Sequence, residues 1–323
     1  MSNILTVGEA MALFVSEKTG SLDVAERFSR FVAGAEVNFS IGMTRLGHTV
    51  TYLSQAGEDP FGRGIVHFLQ DNGVDTSLIR LLPGEFTGMQ WKEKVNAGDP
   101  EVYSLRRGSA ASKMDASLVQ TVQWAKYNHM HLTGIPPALS AGCRELLGAL
   151  LQEGKKQGVS ISYDPNLRPG LWPDKAEMVR VINELSFQAD IVFPGIAEAR
   201  QLTGQETPEA MAAFYHRQGV SKVVIKLGTK GAYASFGGET AFYMPAFPVA
   251  KVVDTVGAGD GFAVGVVSGL LEGLAPQEAV RRGAAIGALA VMSPGDNDGL
   301  PDRDGLASYM AKTSRQLSAA AGD

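Results

Sequence analysis

Short runs rich in β-branched and aromatic residues alternate with helical periods along most of this chain, and that alternation leaves few folds open. The strand-like runs are ILTV from Ile4, TVTYLS from Thr49, VSISYD from Val159, DIVF from Asp190 and KVVIK from Lys222. Between them, helical patterns fall over 37–46, 64–72, 141–157, 176–185 and 208–218. Strand, helix, strand in succession predicts parallel strands joined by crossover helices that cover both faces of the sheet. Runs such as VVI suit strands buried on both sides. The expected fold class is α/β: a doubly wound, mostly parallel sheet flanked by helices.

Two regions break the rhythm. Residues 11–33 and 85–111 lack a helical period and carry strand-like patches such as TGMQWKEKV and EVYSLR. In the second, polar and apolar residues roughly alternate, as on a sheet with one wet face. Both read as an antiparallel layer over the main body, either a lid or a decorated surface hairpin. The domain organisation that follows is a main body of 1–10, 34–84 and 112–323, with a lid of 11–33 and 85–111. The tail from Ala311 reads as a helix end that frays. A hydrophobic fraction of 45% over 323 residues supports a sizeable core. The net charge of −5, without a long basic run, argues against a nucleic-acid partner. No segment reaches the ~18 uninterrupted apolar residues of a membrane span, and the opening residues lack the basic region of a signal peptide. The single cysteine, Cys143, reads as a small buried hydrophobe, and that usage fits a reducing cytoplasm.

The stretch DTVGAGDGF, from Asp254 to Phe262, carries the chemistry. A helix starting near Gly259 exposes unpaired N–H groups and the positive end of its dipole. Gly257, Ala258 and Gly259 have almost no side-chain bulk, so an anion can approach that backbone closely. Such a hole suits phosphate groups or the charge that develops in phosphoryl transfer. Asp260 would repel a phosphate, but beside one it can take a proton from an attacking hydroxyl. The same residues also fit a tight strand-to-helix turn with a favourable first-turn acid. The glycines of KLGTKG, from Lys226 to Gly231, read as a turn between two strands or as a wall of a nucleotide site. Neither a GxxxxGK[ST] loop nor an early GxGxxG is present, and the latter gap disfavours an NAD-dependent dehydrogenase.

These motifs resemble those of the PfkB, or ribokinase-like, family of sugar and nucleoside kinases. DTVGAGDGF is similar to its carboxyl-terminal signature; GAEVNFSIGMTRLG from Gly34 and GEDPFGRGI from Gly57 are similar to its amino-terminal one. Within the family, GSAAS from Gly108, HLTGIPPALS from His131, DPNLRPGLWP from Asp164 and SPGDNDGLP from Ser293 resemble kinases of 2-keto-3-deoxygluconate and of 2-ketogluconate. The resemblance implies a ribokinase-like fold and transfer of phosphate from ATP, with Mg²⁺, to the terminal 6-hydroxyl of a keto acid derived from gluconate. It implies Asp260 as base and Gly257, Ala258 and Gly259 as anion hole. It puts Gly34, Ala35, Asn38 and Asp254 at the sugar, and Asn166, Lys226, Gly228 and Gly231 at the nucleotide. Arg168 becomes a cation near phosphates or substrate, and a monovalent cation has a place in the region of Asp254 in relatives.

A keto acid carries a carboxylate, which arginine binds in bidentate fashion. Arg106 and Arg107 end a lid strand, alternation turns only one of them inward, and Arg106 aligns with the family's contact arginine. Gln90 and Ser104 stand where several 2-keto-3-deoxygluconate kinases carry tyrosines, and their polarity would favour the extra hydroxyl of 2-ketogluconate. In FPGIAEA from Phe193, Gly195 replaces the family's asparagine while Glu198 remains, which weakens a water-mediated role for Glu198 at Mg²⁺. Lids in this family often pair across a dimer, for which the apolar groups Phe28, Phe31 and Trp91, expected to be exposed, are candidates. The histidines His129 and His131 read as core groups that point the same way. Other readings stay open: a fructokinase- or ribokinase-type enzyme of the same fold, or a sugar-binding regulator that has lost catalysis.

Overall fold

The computed structural model describes residues 1–95, 100–237, 240–293 and 295–320, with side chains as far as Thr313 in the last helix. From the amino end, β1 (Asn3–Val7) leads into a hairpin of β2 (Met11–Thr19) and β3 (Phe28–Ala33). Then come α1 (Ala35–Arg45), β4 (Thr49–Gly57), α2 (Pro60–Asp71) and β5 (Ile79–Leu82). A second hairpin, β6 (Met89–Lys94) and β7 (Val102–Leu105), precedes β8 (His129–Thr133), α3 (Pro136–Leu139), α4 (Ala141–Lys156) and β9 (Ser160–Asp164). The chain continues through α5 (Lys175–Ser186), β10 (Ile191–Val192), α6 (Ile196–Thr203), α7 (Pro208–Arg217) and β11 (Lys222–Lys226). It ends with β12 (Ala232–Phe236), β13 (Thr240–Met244), α8 (Ala258–Leu271), α9 (Pro276–Val291) and α10 (Arg303–Ala320). The tail expected to fray from Ala311 is helical to Ala320, and 321–323 lie outside the described residues.

Nine strands form the main sheet in the order β13-β12-β11-β10-β9-β8-β1-β4-β5. All neighbours from β11 to β5 pair in parallel, and β12 and β13 add an antiparallel edge. One hydrophobic cluster fills the face under α4, α5 and α7, and another fills the face under α1, α8 and α9. His129 and His131 both lie in the sheet core, where Ser160 and Ser162 engage both ring nitrogens of His129, Ser162 engages Nδ1 of His131, and burial holds both below the usual histidine range. Cys143 is buried in α4, and burial pushes its thiol up to about 11, as an inert packing group requires. No helix among the described residues is long and apolar enough to cross a membrane.

The second sheet runs β3-β2-β6-β7. It differs from the antiparallel layer expected above, because β2 and β6 pair in parallel. The reason is topological. Each hairpin leaves the main body on its first strand and returns on its second, so two hairpins joined through their outgoing strands must set those strands parallel. Phe31 is exposed as expected, but Phe28 and Trp91 are only partly so, Trp91 being stacked on Phe14 with 5.5 Å between ring centres.

The helix that carries Asp260 is gripped rather than merely covered. A Cβ on Gly265 would lie 2.5 Å from the Cα of Gly283 in α9, and one on Gly42 of α1 would lie 2.8 Å from Val264. At Gly265 the two helix backbones therefore meet, at Gly42 the backbone meets a side chain, and interior packing tolerates little added volume at either. Gly148 in α4 is the opposite case, because a Cβ on it would meet nothing within 4 Å. Gly265→Val should accordingly lower stability by about 1–3 kcal/mol or more, whereas Gly148→Ala should raise it by about 0.4–1 kcal/mol. Thermal or denaturant unfolding of the two variants checks both signs; a harmless Gly265→Val would mean that α8 can shift without cost.

Candidate active site

Parallel strands deliver their carboxyl ends to one edge, and in open α/β sheets that edge is where ligands bind. Glu9 follows β1 closely, Thr133 ends β8, Asp164 ends β9 and Lys226 ends β11. Thr133 and Asp164 stand opposite each other in the ladder. α8 meets this edge with its amino end, where the first N–H groups have no intrahelical partner.

Two glycines shape the backbone here. Gly257 caps α8 at φ +78°, and a Cβ on it would lie 2.3 Å from the Asp296 carbonyl oxygen. Gly34 precedes α1 at φ +149°, and a Cβ there would lie 2.9 Å from the Glu9 carbonyl oxygen. A side chain at either position would strain the turn and fill the space beside it.

A cavity of about 320 Å³ opens between these turns and the second sheet, within the range of small-molecule sites. Gly34, Ala35, Asn38, Gln90, Arg106, Asn166, Arg168, Glu198, Lys226, Gly257, Gly259 and Asp260 all line it. The fold thus gathers into one wall residues that are scattered along the chain from Gly34 to Asp260. Five expected residues lie elsewhere. Ser104 is exposed on β7, where its hydroxyl accepts a bond from the Gln90 amide at 3.1 Å. Asp254 lines a neighbouring cleft and is held by Lys92. Gly228 and Gly231 lie on the turn from β11 to β12, outside the cavity wall, and Ala258 sits behind the wall as the first residue of α8.

The hydrogen bonds revise several expectations. The Asn38 amide, expected to meet sugar hydroxyls, donates to Asp260 Oδ2 at 2.8 Å. Both carboxylate oxygens of Glu198 accept backbone N–H groups, from Leu167 and Gly195, each at 2.7 Å. Glu198 thereby caps α6 and steadies the turn at Asn166, whose φ is +38°. Lys226 Nζ lies 2.6 Å from Asp164 Oδ2. Arg107 is exposed and donates to the Gly170 carbonyl, whereas Arg106 is buried at the cavity.

Four polar groups that the motifs did not single out complete the site. Glu9 holds Arg106 in a buried fork: its Oε2 accepts from Nη2 at 2.6 Å and from Nε at 2.7 Å, while Oε1 accepts from the Ser109 hydroxyl. Asp164 fixes Lys226, Lys92 fixes Asp254, and Asp296 buries a carboxyl oxygen without a partner. Glu9 and Asp164 carried a usable signal, since each stands where a predicted strand ends. Asp296 lay within SPGDNDGLP without being singled out, and Lys92 carried no signal, because its partner Asp254 comes from another element.

Withdrawal from water pushes the Asp260 carboxyl up to about 7, against the lowering pull of the Asn38 amide, and Asp164 adds repulsion. Burial likewise lifts Glu36, behind the Gly34 turn, to about 7. For Lys226, burial opposes the charge, but the carboxylate of Asp164 outweighs it and the ammonium persists. A carboxyl titrating near 7, beside an anion-accepting helix end and the cations Arg106, Arg168 and Lys226, can take a proton while the amides hold negative charge. Among the described residues no group of three or more His, Cys, Asp or Glu side chains is arranged to hold a metal.

Comparisons with known proteins agree with this geometry. Residues 1–303 match the model of the pfkB family of carbohydrate kinases. A Bacillus subtilis protein named 2-dehydro-3-deoxygluconokinase is 47% identical over 308 residues, covering 95% of each chain. The crystal structure of a PfkB protein from Polaromonas sp. JS666 is 42% identical with a TM-score of 0.88, over 95% of this chain and 100% of that one. A structure from E. coli in complex with ATP and Mg²⁺ is 28% identical with a TM-score of 0.89, over 97% of this chain and 100% of that one.

The raised Asp260 carboxyl has a direct consequence. The ionised form is the one that accepts a proton, so kcat/KM should climb with pH up to about 7 and then level off. Asp260→Asn should cut kcat by about 10²–10⁴-fold and abolish that limb. The folded state holds the Asp260 proton more tightly than the unfolded chain, so this group's stability contribution is present at low pH and lost as pH rises through about 7. Asp260→Asn should therefore gain more in Tm at pH 8 than at pH 5. Steady-state rates and melting curves across pH check both, and an active variant with the wild-type pH limb would exclude Asp260 as the base.

Proposed function

The chain belongs to the pfkB family of carbohydrate kinases, and from that premise we propose that it phosphorylates the 6-hydroxyl of a 2-keto sugar acid derived from gluconate, with ATP as donor. The observation that carries the reading is the meeting, in one cavity, of Asp260 and the α8 amino end with the buried, fork-held Arg106. A neutral sugar could accept hydrogen bonds from Arg106, but a substrate carboxylate would also use its charge and planar geometry. Arg106 keeps Nη1 for that carboxylate, because Glu9 engages Nε and Nη2. The Bacillus relative's name points to 2-keto-3-deoxygluconate; Gln90, an amide facing the cavity, would favour 2-ketogluconate.

In this reading the substrate hydroxyl attacks the γ-phosphorus of ATP in line. Asp260 takes the hydroxyl proton, the bond from the γ-phosphorus to the β-bridging oxygen breaks, and ADP leaves with that electron pair. The free amides at the start of α8 hold the transferring oxygens, and Lys226 and Arg168 face the phosphates. Asn38 orients Asp260 through its amide. Mg²⁺, when bound on the phosphates, neutralises their charge. The remaining lone pairs of Glu198 can receive its water ligands, although both oxygens already serve the backbone. Beside Asp254 the Lys92 ammonium already supplies the positive charge that a monovalent cation would bring. The nucleotide would lie along Asn166 and the turn of Gly228 and Gly231.

Coupled ADP release with 2-keto-3-deoxygluconate, 2-ketogluconate, gluconate, fructose, ribose and adenosine tests the assignment. Turnover should be confined to the keto acids, and Arg106→Met should raise KM for them far more than for ATP. Gln90→Tyr should shift the ratio of kcat/KM towards the deoxy acid by about 5- to 100-fold, the worth of a polar group left unpaired in the bound complex. Activity on fructose or ribose alone would leave the fold and Asp260 in place but remove the carboxylate argument. ATP and sugar binding without turnover would favour a regulator.

On the lid, Tyr103 and Leu105 share the face opposite Gln90, with Tyr103 62% exposed, while the exposed Phe31 and Val102 lie on the Gln90 side. We read these groups as the contact for a second copy, since exposed apolar side chains grouped on one small sheet mark association surfaces. Sedimentation should give a dimer for the wild type and a monomer for Tyr103→Glu; two identical profiles would send the contact elsewhere.

A further inference from the structure

The main-body loop that leads into α8 is thinly packed. Val252, Val253 and Val256 are 56%, 49% and 39% exposed, and its backbone reaches the body through bonds from the Val253 and Asp254 N–H groups to the Val291 carbonyl. Yet this loop ends in Gly257, which sets where the first amides of α8 point. Something else must hold it.

The lid supplies the tether. Gln90 and Lys92 are two apart on β6 and so project to the same face of the lid. Gln90 lines the cavity, and the Lys92 ammonium reaches Asp254 Oδ2 at 2.6 Å with only 9% of the residue exposed. The other oxygen of Asp254 accepts the N–H of Val256 at 3.0 Å, closing the loop one residue ahead of Gly257. Asp296, whose carbonyl abuts Gly257, has a carboxyl partly offset by the same ammonium.

We propose that Lys92 is a positioning residue: through Asp254 it fixes the loop that aims the α8 amides, so a lid seated on the sugar also completes the phosphate site. The inference rests on the kinase reading above for its catalytic consequence, but the tether itself is a matter of loop order. One strand then serves both ends of the reaction, with Gln90 at the substrate and Lys92 at the loop. Removing the ammonium frees the loop and leaves the Asp254 carboxylate uncompensated beside Asp296 and the incoming phosphates.

Two readouts on the full chain test this. In hydrogen exchange, Lys92→Met should speed exchange of the amides in 254–257 while leaving those of α9 unchanged, whether or not any substrate has been found. In kinetics, Lys92→Met should lower kcat about 10- to 100-fold, with KM for the sugar acid little altered, and Lys92→Arg should recover most of the loss. Asp254→Asn should lower kcat as well, and the double variant should match the worse single within about twofold, because both remove one interaction. Unchanged exchange in 254–257, or losses that multiply in the double variant, would overturn the proposal. An inactive wild type with the predicted exchange change would refute the kinase reading and keep the tether.

Discussion

A carboxyl group held out of bulk water at the amino end of a buried helix is the constraint on which this architecture turns. The Asn38 amide favours its charge, as a helix amino end does in general, and desolvation with the nearby Asp164 disfavours it. The balance falls near 7, where a carboxyl can both accept and release a proton at ordinary pH. Keeping it there demands a helix that does not move. The close contacts of Gly265 with Gly283, and of Gly42 with Val264, provide that rigidity. Small residues remote from the cavity thus serve one side chain at its mouth.

The same demand explains the number of paired charges around the site. Arg106 lies in the fork of Glu9, Lys226 against Asp164, and Lys92 against Asp254. A buried cation aimed at a ligand has to survive the empty state, and a carboxylate behind it lowers the cost of burial while leaving part of its donors free. For Arg106 the arrangement also fixes direction, because a fork gripped on one side presents the other. Such pairs add little to net stability and much to geometry.

How far the sequence disclosed this depends on whether the information was local. The parallel sheet followed from runs such as KVVIK between helical periods, each of which identifies itself within about ten residues. Asp260 and the glycines before it were legible for the same reason, since GAGD is contiguous and each residue type has a physical purpose there. The parallel pairing of β2 with β6 was not legible, because it depends on how two hairpins distant in sequence meet in space, with Ala12 set against Met89 at one end of the register. Nor was the occupation of Glu198 and Asn38 by protein partners. A residue type states what a side chain can bond to, and only the fold states which partner reaches it first.

Asp254 shows where motif and mechanism part. The family resemblance put it at the sugar, yet the fold turns it towards the second sheet and gives it Lys92. The short interval between the two aspartates is then a property of the turn rather than of the substrate. One carboxylate must hold the loop, the loop must end in a residue free to adopt φ +78°, and the helix must begin at once so that the second carboxylate stands in its first turn. Shifting Asp254 along the chain would detach the loop from the lid and leave the start of the helix without its anchor. By this reasoning the motif is compact because it joins the carboxylate that meets Lys92 to the carboxylate of Asp260 across a short turn that leaves the helix amides open.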